Sequence, residues 1–283
     1  MTALAAPERT RVRLRTLPWD LIVAATVSAL FVIAAIWPQV LATYDPFAMD
    51  LGAALQPPSL AHWFGTDEAG RDLYSRVVYG TRESLGIGVG AAAVSLSLAV
   101  VLGTLAGLGG RATSAAVGWL LEVAFAFPAL LLSLLLIAVL GPSALTQILA
   151  VGIGTAPGYA RIVRGQILSA KNSGYVEAAV SLGHPRAQIL GRHILPNALR
   201  PLVAIFALSI GQSIVWASSL SFLGLGVAPP SPEWGALLDA GRAYITEAGW
   251  LTVIPGLVIV VLALAATTLG RHLQLFLEKG EKS

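Results

Sequence analysis

Few residues in this 283-residue chain can do chemistry, and their spacing points away from catalysis. With no cysteine, disulfides, thiolate metal sites and cysteine nucleophiles are all excluded. The four histidines, His62, His184, His193 and His272, form no H-x-x-x-H pair and none sits near a second metal ligand, so no metal centre is expected. The three lysines, Lys171, Lys279 and Lys282, lie outside any G-x-x-x-x-G-K-[ST] loop, so the chain has no P-loop with which to bind ATP. One polar stretch is built for contact instead. Tyr175-Val-Glu-Ala-Ala-Val-Ser-Leu-Gly183 precedes His184-Pro-Arg-Ala-Gln-Ile-Leu-Gly-Arg-His-Ile-Leu-Pro196-Asn197. The pattern predicts a short helix over about 174–182, stopped by Gly183 in the left-handed position after its end. A second helix starts at Pro185, which suits a first turn, and is kinked or stopped by Pro196. Ala178, Ala179 and Gly183 remove side-chain bulk, so a partner can approach the backbone; His184 and His193 are expected to hydrogen-bond backbone.

The elements that must position this loop are membrane helices. Hydrophobic residues make up 56% of the chain and charged residues 12%, against about 25% in a soluble domain, and mean hydropathy is +0.76. Disorder is thereby excluded and a soluble globule disfavoured. The net charge of +3 and pI near 9.4 do not indicate nucleic acid, because so little polar surface remains on which to gather a basic patch. Long stretches free or nearly free of charge predict six crossings, over about 20–43, 84–108, 113–140, 145–168, 200–226 and 250–271, or five without the fourth. The fourth is the most interrupted, by Thr155, Pro157 and Gly158, with Arg161 and Arg164 at its end. With both termini inside, fourteen of the eighteen basic residues fall on the inner side, six of them between 160 and 200. The apolar run from Leu21 to Trp37 exceeds the core of a cleaved signal, so the first helix is expected to be retained. The chain then divides into a basic N-terminus (1–18), a first crossing with an outer segment (19–83), a core (84–271) containing the loop at 169–198, and a tail (272–283).

At this point a family resemblance becomes specific. Glu177-Ala178-Ala179, Gly183 and Leu195-Pro196 reproduce the EAA motif of ABC importer permeases. His62-Trp-Phe-Gly-Thr-Asp-Glu-Ala-Gly-Arg-Asp72, Ser219-Leu-Ser-Phe-Leu-Gly-Leu-Gly226 and Pro230-Ser-Pro-Glu-Trp-Gly235 resemble the dipeptide/oligopeptide/nickel group, and within it the C-type partner. Gly270 is followed by Arg271 where that family commonly carries an acid. The resemblance runs from about residue 20 to 275. It implies an all-α, polytopic bundle of the type I importer permease fold in a bacterial cytoplasmic membrane, paired with a homologous B-type permease. It further implies two separate ATP-binding subunits, which carry ATP and Mg, and an extracytoplasmic substrate-binding protein. By the same resemblance, this chain itself would bind no cofactor and would not be catalytic alone. Glu177, Ala178, Ala179, Gly183, Pro185, Leu195 and Pro196 would seat in the ATPase groove. The substrate would be a di- or oligopeptide, nickel chelate, glutathione or an opine, moved by alternating access as ATPase closure pushes the 174–196 elements.

Toward the outer side, Asp67/Arg71 and Asp72/Arg76 stand four apart with Leu73, Tyr74, Val77 and Val78 between them, which predicts an amphipathic helix over about 67–80. By resemblance, Gly65, Thr66, Asp67, Gly70, Arg71, Asp72 and Trp234 face the binding protein; the alternative is a structural lid tying helices together. The outer acids, Glu233 among them, either dock a partner or are solvated. Gln212, Ser213, Ser218 and Ser219 form the candidate polar face of the translocation path. Glu122 is expected to sit in an ion pair with Arg111 or with an arginine ending the fourth helix. Gly86/Gly90 and Gly103/Gly107 are small-xxx-small pairs suited to close helix packing. The rival function is a self-contained secondary transporter or channel, which would ordinarily show inverted repeats and more intramembrane charge than Glu122.

Overall fold

The computed structural model describes residues 18–279; Arg9, Arg11, Arg13, Arg15 and Lys282, which contribute to the charge asymmetry, lie outside them. Nine principal helices carry the described residues: α1 (Trp19–Ile36), α2 (Leu73–Leu108), α3 (Arg111–Ala126), α4 (Ala129–Leu140), α5 (Ala144–Lys171), α6 (Gly174–Ser181), α7 (Arg186–Leu225), α8 (Trp234–Arg242) and α9 (Trp250–Lys279). Short turns occur at Pro38–Leu41 and Leu51–Ala53. The described residues contain no strand, only an isolated bridge between Thr66 and Asp72.

Four of these helices, α1, α2, α7 and α9, are long and apolar enough to cross a membrane, and α3 with α4 makes a fifth if the bent pair is one span. Six were expected. The difference is α5, which at 28 residues is about 42 Å long but carries Gln147, Thr155, Arg161 and Arg164. It is sheathed by protein, since its contact with α2 is the most extensive between any two helices.

Two other expectations change. The crossing predicted over 113–140 is two helices bent by 88°. Pro128 lacks an N–H and pushes Phe127 into extended backbone (φ −88°, ψ 129°), so the helix cannot run through. Helix α2 begins at Leu73 rather than near 84, and no separate 67–80 helix exists. Its first turns are polar yet buried in protein, which a search for apolar runs misses.

Close packing explains the α2–α5 seam. A Cβ on Gly103 would stand 2.6 Å from Val163 Cβ, and one on Gly107 would stand 2.8 Å from Ile167 Cγ2. The pair at Gly86/Gly90 is looser: nothing approaches within 4 Å of Gly86, and Gly90 meets Ile148. Gly103→Val should therefore destabilise the protein by about 1–3 kcal/mol through overpacking, while Gly86→Ala leaves it unchanged. Thermal unfolding of the two variants in detergent checks the difference.

Buried side chains gather in three clusters. One joins α5 to α6 and the start of α7 through Val163, Ile167, Val176, Ala179, Ile189 and Ile194. A second, around Leu73, Val77, Trp234 and Leu251, closes the opposite end of the bundle. The third, around Ile87, Ile137, Val151 and Leu220, lies between them.

Candidate docking site

Helix α6 starts after Ser173 and ends as expected. Leu182 closes it, Gly183 follows at φ +77°, Gly183 N–H donates to Val180 C=O (2.9 Å), and His184 N–H donates to Ala179 C=O (3.1 Å). This is the Schellman arrangement, and it needs a residue that tolerates positive φ. Val176 and Ala179 pack inward against α5. Glu177 and Ala178 face out, beside Tyr175, Val180 and Leu182, and Leu182 is 76% exposed. The Glu-Ala-Ala triplet thus divides: Ala179 lets the helix sit close to the core, whereas Glu177 and Ala178 form surface. Nothing lies within 4 Å of a Cβ built on Gly183, so bulk added there would project from that surface.

Pro185 and Pro196 are exposed and Leu195 is half-buried. Pro196 does not stop the helix. The backbone of α7 widens into a π-helical stretch over Ile189–Ile194, and α7 runs on past Pro196. Such a widened turn accommodates a proline without a full break. His184 and His193 stack across the hairpin at 6.1 Å. The backbone hydrogen bonds expected of these rings are missing at two atoms, His184 Nδ1 and His193 Nε2, which are buried without partners.

At the opposite end, Gly65 to Asp72 is a buried strap. Asp67 is its centre: its carboxylate accepts from the N–H groups of Ala69 and Arg71 (both 2.9 Å) and from Arg71 Nε (2.6 Å), with Arg76 Nη1 at 3.3 Å. Asp72 caps α2 by accepting from Ser75 N–H (2.8 Å) and holds His62 Nδ1 at 2.9 Å. Arg76 therefore reaches Asp67 rather than the Asp72 expected from spacing. Thr66 accepts from Gln56 N–H and donates to Ala53 C=O. Gly65 and Gly70 have positive φ (+77° and +72°), and a Cβ on Gly70 would fall 1.7 Å from Asp50 C=O.

Because Thr66, Asp67, Arg71 and Asp72 are buried, their side chains do not form a binding face. Trp234 corrects the expectation more sharply. It is 0% exposed, donates from Nε1 to Val77 C=O (2.9 Å), and receives the edge of Phe31. Its neighbour Glu233 is 1% exposed and caps α8 by accepting from Gly235 and Ala236 N–H groups, with Ser84 Oγ also donating to it. Burial pushes this carboxyl above the usual carboxylate range, against those hydrogen bonds. Glu233 is therefore neither a solvated nor a docking acid but a helix cap, a role signalled in the sequence by an acid directly before a helix-starting Trp-Gly.

The polar residues of α7 do not share one face. Gln212 lies in a hollow of about 440 Å³ at the α3–α4 bend, where Tyr159 Oη donates to Gln212 Oε1 (3.0 Å). Ser218 and Ser219 line a second hollow, bounded by Val215 and Phe222, and Ser213 is buried. Glu122 makes no ion pair with Arg111 or any other described residue; it is exposed on α3. Arg161 instead stacks its guanidinium over Phe125 at 4.1 Å.

Residues 99–279 match the family described as binding-protein-dependent transport system inner membrane component. Among curated proteins, the chain is 39% identical over 276 residues to the probable D,D-dipeptide transport system permease protein DdpC of Escherichia coli, covering 95% of this chain and 92% of that one. It is 40% identical to the glutathione transport system permease protein GsiD of Pectobacterium atrosepticum, covering 92% and 87%. Among solved structures, an inward-facing MetNI methionine ABC transporter matches with TM-score 0.54 and 18% identity over 70% of this chain and 96% of that one. A second, an amino acid ABC transporter, matches with TM-score 0.58 and 18% identity over 72% and 94%. At these identities the structures speak for the fold.

Proposed function

As the chain belongs to the binding-protein-dependent inner membrane components and is a permease subunit of an ABC importer, we propose that α6 and its flanking residues are where it receives the force of ATP hydrolysis. Glu177, Ala178, Gly183 and the exposed Val180 and Leu182 form the surface that seats in an ATP-binding subunit, which carries the ATP and Mg. Ala179, Leu195 and the two prolines shape that surface from behind. A homologous second permease completes the pathway, and an extracytoplasmic binding protein delivers the solute at the strap end. The basic bias of the loops supports a cytoplasmic position for both termini and α6. Relatives named for D,D-dipeptide and glutathione transport support a peptide-sized solute.

The observation that carries this reading is the free apolar and acidic face of α6 on a helix whose other face is locked into the bundle. A buried face transmits displacement to α5 and α7; an exposed one accepts a partner. The test is uptake of a radiolabelled dipeptide into vesicles holding both permeases, the ATPase pair and loaded binding protein. Uptake must need ATP on the α6 side. Uptake that persists without the ATPase subunits and follows an ion gradient would make the chain part of a secondary transporter instead.

A further inference from the structure

The hollow at the α3–α4 bend carries charge that nothing else in the described structure uses. Phe125, Phe127, Tyr159 and Trp216 line it, with Gln212 opposite the bend. Tyr159 occupies the Gln212 carbonyl oxygen, leaving the Gln212 amide N–H groups free to donate. Two ionisable side chains stand near Phe125, one of the residues that line the hollow. Arg161 lies over the Phe125 ring, and Glu122 is one helical turn from Phe125 on the same side of α3. Both are exposed, and neither has an ion-pair partner among the described residues.

Their positions along the two helices can be compared. Glu122 is eleven residues from the start of α3 at Arg111, and Arg161 is ten residues from the end of α5 at Lys171. At 1.5 Å per residue each lies about 15–17 Å along its own helix from Arg111 or Lys171. Unpaired charges on membrane-embedded helices are costly unless they face a water-filled path, and such residues mark solute routes. An acid and a base near one aromatic ring offer complementary charges to the two ends of a zwitterion. The charged ends of a dipeptide stand about 7 Å apart at roughly 3.5 Å per residue.

We propose that this hollow is a contact station for a zwitterionic, peptide-like solute. Glu122 meets the ammonium end, Arg161 meets the carboxylate end, and the Gln212 amide donates to a peptide carbonyl. The inference rests on the permease reading above and adds to it a site and a substrate class.

The natural absence of cysteine provides the test. Gln212→Cys is introduced into the full complex, whose other subunits are made cysteine-free, and its reaction with cationic and anionic methanethiosulfonates is timed in vesicles. Both reagents should react. Adding Glu122→Gln should slow the cationic reagent about threefold or more, and Arg161→Gln should slow the anionic one similarly, as expected of a unit charge acting across a wet hollow. L-alanyl-L-alanine should protect the cysteine several-fold, its N-acetylated, C-amidated form should not, and either neutralising substitution should abolish the protection.

A cysteine inert to both reagents in every nucleotide state would overturn the station by taking the hollow off the aqueous path, while ATP-driven uptake would still judge the permease reading. Reaction insensitive to both neutralising substitutions, or equal protection by the blocked dipeptide, would overturn the assignment of Glu122 and Arg161. So would loss of the second permease from either variant, which would place the two charges at the subunit interface.

Discussion

Asp67→Ala is expected to destabilise the protein by about 3–5 kcal/mol, the usual consequence of removing one partner from a buried ion pair. The carboxylate is 4% exposed and faces two guanidiniums that are themselves sealed from water, Arg71 and Arg76. It also accepts from two backbone N–H groups, which would lose their acceptor at the same time. Arg71 keeps Glu68 at 2.8 Å, but Arg76 is left with only the Pro230 and Ser231 carbonyls, at 3.4–3.5 Å. The loss therefore lands on the start of α2 and on the 229–234 segment that Arg76 joins to it. Glu68→Ala, which removes a partly exposed partner, should cost no more than about 1 kcal/mol. Unfolding of both variants in detergent, with the folded yield from membranes, checks the contrast. Equal effects would mean that the strap is not organised around Asp67.

Gly183→Trp and Glu177→Lys should abolish ATP-driven uptake while the chain remains inserted in normal amount. The two act differently. Glu177 presents a carboxylate with no described side-chain partner, so lysine reverses the charge offered to the ATPase without disturbing the bundle. Gly183 has open space around its Cβ position, so tryptophan fits the isolated chain and obstructs only a seated partner. Its positive φ adds about 1–2 kcal/mol of local strain for any side chain. Gly183→Ala carries the same strain with little bulk, and it should retain most transport. Loss of uptake in the alanine variant equal to that in the tryptophan variant would assign the effect to the helix end rather than to docking.

How far the sequence could be read depended on whether the decisive interaction is local. Helix α6 and its Gly183 terminus were legible because caps are set by neighbours within a few residues. The strap was not, because charges four apart occur in a tight turn as well as in a helix. Gly65 and Gly70 marked the turn, but only the folded chain shows Asp50 C=O pressed against Gly70. Trp234 and Glu233 were misread for a related reason. Their partners, Val77 and Ser84, lie about 150 residues away, and burial arising from such distant contacts leaves no local pattern. The bend at Phe127–Pro128 had a visible cause in Pro128, yet the apolar run on either side reads as one crossing. Glu122 is expected to be paired because isolated intramembrane charge is costly; the structure instead leaves it exposed on α3, without an ion-pair partner among the described residues.

The central claim is that the exposed face of α6 meets the ATP-binding subunit, and proximity measures that most directly. With no native cysteine in the chain, a single Leu182→Cys can carry a photoactivatable cross-linker in the assembled transporter, with Leu60→Cys at the strap end as the comparison. The account predicts an adduct between position 182 and the ATPase subunit whose yield changes when ATP is added, and no such adduct from position 60. ATPase adducts from position 60, or their absence from position 182 in every nucleotide state, would contradict it.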